Sequence, residues 1–572
     1  MNNETPATDT HPTVQLPTRA KTAIDAVAEA YTETLLQLDP GFATELGFPG
    51  HETEYRDYSP AGLEAWAEAT RETLGRLTDL EPADDVDRVT LDAMQERLGL
   101  ELEIHDTGMN LADLNNLASP AQEIRMIFDL MPTDSADQWA HIAGRLHNIP
   151  DALAGYIVSL RAGKDRGLVA AERQIRIVID QTTKYAEDGG FFDDFVSNAS
   201  IDDGDLPDRV RQDLVAGSAK ARSAYQRLGA FLQEELLPAA PSKDAVGREH
   251  YALMSRRFLG AAVDLEETYQ WGVEELDRVI AEQEAVANEI TPGASIEEAM
   301  KILDESPDLQ LHGADALQSW MQQLSDKAVA ELAGVHFDIP DIMRTIECKI
   351  APTHEGVIYY TGPSDDFSRP GRMWWSVPEG EDSFTTWKET TTVYHEGVPG
   401  HHLQIATATM QRGLLNNWRR NAVWVSGHGE GWALYAERLM QELGYLTHPG
   451  ERLGMLDAQR MRAARVVFDI GVHLELEIPA RWGTGTWTPD KGYEFLKRNI
   501  AISEGSLDFE FNRYLGWPGQ APSYKIGQRL WEQIRDEVKE SEGTAFNLRS
   551  FHTRSLNLGS VGLDTLRRAL VG

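Results

Sequence analysis

The sequence is poor in cysteine, in basic residues and in long apolar runs, and each shortage excludes a class of protein. The only cysteine, Cys348, allows no intramolecular disulfide and no cysteine-rich metal site. The 572 residues include 53 basic and 92 acidic side chains, a net charge of −39 that would repel nucleic acids and anionic membranes. No stretch of about 18 apolar residues is present, so the sequence predicts no transmembrane helix. We therefore expect neither nucleic acid nor membrane as a partner.

The N-terminal residues are polar and rich in threonine and proline, without the basic start and apolar core of a signal peptide. We therefore expect residues 1–20 to form a disordered tail and the protein to be cytoplasmic. The sequence leaves the oligomeric state open.

Beyond the tail, apolar residues recur at three- and four-residue steps, which is typical of amphipathic helices. No fixed-period repeat and no low-complexity linker interrupts this pattern. It predicts a mainly α fold, large and bilobed with a deep cleft, formed by a single domain over residues 21–572. We expect a helical N-terminal lobe over about 21–334 and a catalytic lobe over about 335–572.

The composition changes between residues 335 and 392, where β-branched and aromatic residues become frequent. The runs 357–360 and 372–377, separated by Gly-Pro and Pro-Gly pairs, predict a small antiparallel β-hairpin with a long loop. The exposed edge of such a hairpin can bind an extended peptide through backbone hydrogen bonds. The alternative is a flap that serves only for packing.

Three histidines follow the predicted hairpin within eight residues: His395, His401 and His402, with Glu396 beside the first. In the H-E-x-x-H motif of zinc hydrolases, two histidines one helical turn apart bind the metal and the glutamate activates a water. Here His395 and His401 are six residues apart, so an unbroken helix would turn them away from each other. Pro399 cannot continue the helix and a glycine follows it, so a break there would bring His401 back towards His395. His402 is the alternative second ligand, and a polar helix start without metal is the alternative interpretation of the cluster.

A third metal ligand is expected on a separate helix, in the segment 426–440. There Glu430 lies among three glycines at the start of an apolar run, and we favour it as the ligand. Glu437 lies seven residues later on the same helix face, so we expect it to support the site rather than to bind the metal. Taken alone, a glutamate at a helix start is more often a partner of the helix dipole.

Two later segments add polar residues to an apolar background. Arg465, Asp469 and His473 are spaced four residues apart and form a charged stripe, which we expect to face a buried cleft rather than the surface. Tyr524 follows a turn rich in proline and glycine, and its hydroxyl could donate to a tetrahedral oxyanion. Arg513 could hold a substrate carboxylate. We predict His473, Arg513 and Tyr524, together with the glutamate of the histidine cluster, as catalytic residues.

Four segments occur in the order HEGVPGHHLQ, EGWALYAE, RAARVVFDIGVH and RYLGWPGQAPSYKIG, and together they resemble the bacterial domain-of-unknown-function family 885. The resemblance spans most of the chain and implies a distant relationship to the helical zinc metallopeptidases of gluzincin type, including the Taq-type carboxypeptidases. It implies that His395, His401 and Glu430 bind Zn²⁺, that Glu396 is the general base and that Tyr524 stabilises the oxyanion. The two extra residues between the histidines depart from the carboxypeptidase pattern.

These motifs together predict a zinc-dependent metallopeptidase that hydrolyses short peptides. Two alternatives stay open: a metal-free, non-catalytic peptide-binding protein on the same scaffold, and a metal-dependent amidohydrolase that acts on a small non-peptide amide. We expect Arg462, Arg465 and Arg513 to make the cleft less negative than the surface around it. The choice between endo- and exo-cleavage is not fixed by the sequence.

Overall fold

The computed structural model describes residues 17–201, 205–351 and 358–572 of the chain. Within these ranges the chain is mainly α-helical, which confirms the predicted fold class. Most of the tail predicted over residues 1–20 lies outside the described residues. Arg19, near its end, donates from Nε to the carbonyl of Leu414 at 2.9 Å and pairs with Asp25 at 2.8 Å, so this part of the segment packs against the body.

The helices before the sheets begin at polar caps in several places. Thr22 and Ser135 accept hydrogen bonds from backbone N–H groups three residues later and so fix the starts of the first and sixth helices. The helices up to residue 332 are α1 (Ala23–Leu38), α2 (Pro40–Glu45), α3 (Pro60–Leu77), α4 (Asp85–Thr107), α5 (Pro120–Met126), α6 (Ala136–Asp165), α7 (Glu172–Ala186), α8 (Phe191–Ser197), α9 (Asp208–Phe231), α10 (Arg248–Leu259), α11 (Leu265–Ile290), α12 (Ile296–Asp304) and α13 (Ala314–Leu332).

The strands form two small sheets. In the larger sheet the order is β2 (Ile346–Ile350), β4 (Gly371–Trp375), β3 (Ile358–Thr361), and β4 runs antiparallel to β3 and parallel to β2. The second sheet pairs β1 (Gln310–His312) with β5 (Ser383–Thr385). The predicted hairpin is therefore present as β3 and β4, although residue 357 at its start lies outside the described residues, and a third strand extends it.

The C-terminal part is again helical. Its helices are α14 (Thr386–Glu396), α15 (His401–Met410), α16 (Ser426–Glu442), α17 (Pro449–Leu474), α18 (Pro489–Asn499), α19 (Glu504–Gly516), α20 (Ser523–Glu542), α21 (Leu548–Asn557) and α22 (Leu563–Val571). None of the described helices is both long enough and apolar enough to span a membrane.

Two large clusters of buried apolar side chains lie between these helices, and a third cluster contains only Leu100, Ile104 and Met254. The smaller of the two large clusters is built from α5 to α9 and includes Phe128, Phe192 and Tyr225. The larger cluster combines residues of α1, α4, α11 and α13 with residues of every helix from α14 to α22. Apolar packing thus crosses the lobe boundary predicted near residue 334. The single domain over residues 21–572 and the deep cleft stay predictions.

Glycines set the distance between α16 and α20. A Cβ on Gly431 would lie 2.5 Å from the backbone carbon of Gly527, and a Cβ on Gly527 would lie 2.3 Å from the carbonyl oxygen of Gly427. No side chain fits at these positions, so the two backbones approach each other directly. This close approach places the start of α20 beside the start of α16, where the candidate site lies.

Candidate metal centre

The chain breaks between the two predicted histidine ligands. Helix α14 ends at Glu396, α15 begins at His401, and a short turn that contains Pro399 joins them. A Cβ on Gly400 would lie 1.9 Å from the carbonyl oxygen of His395, so the turn closes only with glycine there. The imidazole rings of His395 and His401 are consequently 4.9 Å apart, centre to centre, and nearly perpendicular.

Glu430 faces both of these imidazoles from the first turns of α16. Its Oε2 lies 3.3 Å from Nε2 of His395 and 3.5 Å from Nε2 of His401. Glu396 belongs to the same group, because one nitrogen of each of the two histidines and one of its oxygens lie within 4.8 Å of one another. The structure thus brings together the four residues predicted for the metal and the general base.

The other side of His395 is held by a second carboxylate. Nδ1 of His395 donates to Oε1 of Glu437 at 2.7 Å, and the Thr391 hydroxyl donates to Oε2 of Glu437 at 2.6 Å. Glu437 is almost completely buried. Because Glu437 engages Nδ1, the nitrogen of His395 that faces Glu430 is Nε2. A carboxylate that orients a histidine in this way is a regular feature of metal sites.

His402 points away from this group. Its Nε2 donates to the carbonyl of Met343 at 2.7 Å, and the Tyr360 hydroxyl of β3 donates to its Nδ1 at 2.8 Å. Burial lowers the pKa of His402 to about 4, so the ring is neutral with both nitrogens engaged. Of the two alternatives, only His401 has a nitrogen directed at Glu430.

Burial and short-range charge determine the ionisation of the group. Burial opposes the charged form of Glu430, yet its hydrogen bonds to His395 and His401 hold its pKa well below the usual range. Burial likewise opposes protonation of His395, but the carboxylates of Glu430 and Glu437 raise its pKa to about 10. For Glu396 burial is the main influence and raises its pKa, although both histidines oppose this. Glu396 is therefore the carboxylate of the group with the greatest affinity for a proton.

The donor set fits a zinc ion. Two imidazole nitrogens and one carboxylate are the ligands of many catalytic zinc sites, and His395 has the orienting carboxylate that such ligands require. Nδ1 of His401 is buried and has no hydrogen-bond partner within the described ranges. His401 therefore relies on packing for its orientation.

Tyr524 lies near this group, at the start of α20. Burial raises the pKa of Tyr524, the negative charge of Glu430 raises it further, and the charges of Arg513 and Arg465 oppose the rise. The Arg465 guanidinium lies 5.3 Å from the centre of the tyrosine ring. Tyr524 is therefore a neutral hydrogen-bond donor at ordinary pH, held next to a cation.

Arg513 and Arg465 share one carboxylate. Glu510 accepts from Nη1 of Arg513 at 3.0 Å and from Nη2 of Arg465 at 2.9 Å. Nη2 of Arg513 also donates to Gln520 at 2.6 Å. Both terminal nitrogens of Arg513 are thus bonded within the protein, in the turn that leads to Tyr524.

His473 contacts a different part of the molecule. Its Nε2 donates to the carbonyl of Tyr514 at 3.0 Å. Asp469, one turn earlier on α17, accepts from the Tyr251 hydroxyl at 2.7 Å and from the backbone N–H of Gly519 at 2.8 Å. No hydrogen bond, ion pair or ring contact of the described residues joins His473 to the metal-binding group. The predicted stripe is buried, as expected, and Asp469 fixes the turn before Tyr524.

Sequence reasoning missed two residues of the site. Thr391, which bonds Glu437, lies four residues before His395, so its place on the same helix face could have been inferred from the spacing. Trp424 lies with its ring centre 6.3 Å from that of His401 and is 54% exposed. Its only signal in the sequence is a large aromatic residue shortly before the glycine-rich start of α16.

The fold is shared with solved bacterial structures. A crystal structure named "putative lipoprotein", from Colwellia psychrerythraea, matches with a TM-score of 0.82 and 22% identity, over 96% of this chain and 98% of that chain. A second structure, of a "putative lipoprotein of unknown function" from Shewanella oneidensis, matches with a TM-score of 0.72 and 17% identity, over 97% of this chain and 100% of that chain. Because these names point to a membrane-anchored or extracytoplasmic location, the cytoplasmic prediction is contradicted and we withdraw it.

Comparison with curated proteins finds no match to the chain. The model of one family, described as a bacterial protein of unknown function (DUF885), matches residues 40–570, which confirms the family that the four motifs predicted. The chain therefore belongs to the DUF885 family of bacterial proteins.

Proposed function

We propose that this protein is a zinc-dependent peptidase that hydrolyses short peptides. The observation that carries the proposal is the convergence of His395, His401 and Glu430, with nitrogen-to-oxygen distances of 3.3 and 3.5 Å, beside a buried Glu396. The order of the motifs supports the proposal, because it resembles that of the helical zinc metallopeptidases, to which we propose a distant relationship. The contact of Glu437 with His395 also supports it, because a carboxylate commonly orients a histidine that binds a metal.

The proposed chemistry divides among residues of four helices, α14, α15, α16 and α20. Zinc, when bound by His395, His401 and Glu430, supplies a Lewis acid that polarises the scissile carbonyl and acidifies water. Glu396 accepts the proton of the attacking water, a task that suits a carboxylate whose pKa burial has raised. The Tyr524 hydroxyl donates a hydrogen bond to the developing oxyanion.

For Arg513 and Arg462 we propose roles that differ from those predicted from the sequence. We assign Arg513 to the support of the turn before Tyr524, because Glu510 and Gln520 occupy its terminal nitrogens. Arg462 forms no ion pair with any described residue, and its charge acts on Tyr524. Arg462 is therefore the cation that we propose for an anionic group of the substrate.

The test is Glu396→Gln, compared with wild type on a panel of short peptides. We expect wild-type protein purified without chelators to contain zinc and to cleave some of these peptides. Glu396→Gln should keep the zinc and lose turnover, because the amide cannot accept the proton. The control Glu442→Gln changes an exposed glutamate on α16 and should leave both properties unaltered.

Three outcomes would contradict the proposal. Unaltered cleavage by Glu396→Gln would remove Glu396 as the base. Protein that fails to retain zinc even when zinc is supplied would favour the metal-free binding protein. Cleavage of small non-peptide amides but of no peptide would favour the amidohydrolase.

A further inference from the structure

Trp424 lies beside the candidate metal centre with much of its side chain exposed. It is 54% exposed, and no other tryptophan of the described residues is as exposed. The centre of its ring lies 6.3 Å from that of His401. Exposing an indole to water costs free energy, so a large exposed aromatic side chain next to a cluster of polar residues is typical of a binding site.

The indole is held in place by the glycine before Glu430. A Cβ on Gly429 would lie 2.3 Å from the Cη2 atom of Trp424 and 2.5 Å from its Cζ2 atom. The ring therefore lies against the backbone of α16, in space that any side chain at residue 429 would fill. This packing fixes the ring at its Cη2 end, and the exposed remainder is available for binding. A platform fixed in advance binds a flat side chain at a lower entropic cost than a mobile one.

The charge of the neighbouring metal centre selects the kind of side chain that fits. His401, which the indole contacts, and Glu430 belong to a site for a cation. A lysine or arginine side chain of a substrate would meet the positive charge of the bound ion. An aromatic side chain carries no charge and stacks on an indole with a gain beyond the burial of its area.

We infer that Trp424 forms a subsite for an aromatic side chain next to the scissile bond. The inference rests on the proposed peptidase function and specifies its substrate class. It assigns Trp424 to substrate binding and gives it no part in the chemical step. Its test is therefore a binding measurement in a protein that cannot turn over the peptide.

The experiment uses zinc-loaded, full-length Glu396→Gln protein and isothermal titration calorimetry. The probes are the tripeptides alanyl-phenylalanyl-alanine, alanyl-lysyl-alanine and trialanine. We expect the phenylalanine peptide to bind about tenfold more tightly than the other two, as a stacked aromatic pair and its buried area imply. Adding Trp424→Ala should abolish this preference, and adding Trp424→Phe should retain most of it. Gly429→Ala should also weaken it, because its methyl group displaces the indole.

The matched control is Phe509→Ala, which removes a 45% exposed aromatic side chain on α19 and should leave the preference unchanged. An equal preference with and without Trp424, or tightest binding of the lysine peptide, would overturn the subsite. If wild type cleaves the peptides in either of these cases, the proposed function survives and the subsite alone is lost. If wild type cleaves no peptide and none binds, both are overturned.

Discussion

The contact between Glu437 and His395 gives a sharp test of the metal centre, because it alters the site without removing a ligand. Glu437 accepts from His395 Nδ1 at 2.7 Å and from the Thr391 hydroxyl at 2.6 Å. In Glu437→Gln the amide oxygen can still accept from His395, and the change in volume is small. What is lost is the negative charge that strengthens the imidazole as a metal ligand.

The size of the effect follows from the difference between charged and neutral hydrogen bonds. A hydrogen bond to a charged group contributes about 1.5–3 kcal/mol and a neutral one about 0.5–1.5 kcal/mol. The difference of about 1–1.5 kcal/mol corresponds to roughly a tenfold loss of zinc affinity. That value lies at the lower end of the range of about 10–100-fold seen when partners of metal ligands are replaced.

The assay is the dissociation constant for zinc, measured by competition with a chromophoric chelator at one fixed pH. Glu437→Gln should bind zinc about tenfold more weakly than wild type. Thr391→Val, which removes only a neutral donor to Glu437, should have a smaller effect. Glu442→Gln, on the same helix but 52% exposed, should have none. Equal zinc affinity in wild type and Glu437→Gln would refute the assignment of His395 as a ligand oriented by a carboxylate.

Three further predictions concern the neighbouring residues. His401→Ala should abolish stoichiometric zinc binding, as metal analysis would show. His402→Ala should keep the zinc but lower the free energy of unfolding by about 1–3 kcal/mol in denaturant, because the buried carbonyl of Met343 loses its donor. The reverse pattern would make His402 the ligand. Tyr524→Phe should lower kcat for a cleaved peptide by about 10²–10³-fold with zinc content unchanged, and an unaltered kcat would remove the oxyanion role. Burial lowers the pKa of His473 to about 4, below its unfolded value of about 6.5, so its stabilising contribution is complete above pH 6.5 and is lost as the pH falls towards 4. Between pH 8 and pH 5 this loss is about 2 kcal/mol. His473→Gln should reduce the change in unfolding free energy over that range by the same amount. An unchanged pH dependence would contradict the conclusion that His473 is buried in its neutral form.

The helical fold could be predicted because its signal is local. Apolar residues at three- and four-residue steps indicate a buried helix face whatever that face packs against. Strand β2 was missed although Ile346, Cys348 and Ile350 alternate with polar residues, the pattern of a half-buried strand. Its partner β4 is parallel and lies more than twenty residues away, and no turn signal connects such strands.

In the site too, features set by neighbouring residues could be predicted, and features set by contacts distant in the sequence could not. The break before His401 was predicted because Pro399 and its following glycine act within one helical turn. The choice between His401 and His402 depends on Tyr360 and Met343, which are far away in the sequence, so it needed the structure. Arg465 and His473 share a helix face but are about 12 Å apart along it. One therefore contacts Tyr524 while the other does not.

The glycines around Glu430 show how the parts of the site depend on one another. Gly429 leaves room for the ring of Trp424, and Gly431 leaves room for the backbone of Gly527, three residues after Tyr524. A methyl group at residue 429 would displace the ring of Trp424, and one at residue 431 would displace the start of α20. The position of Glu430 relative to the proposed oxyanion donor and the proposed substrate platform is thus determined by two missing side chains. Glycine in a helix usually lowers stability, but here it lets Trp424 and the backbone of α20 approach α16 closely. The glycine-rich start of α16 therefore belongs to the site as much as its charged residues do.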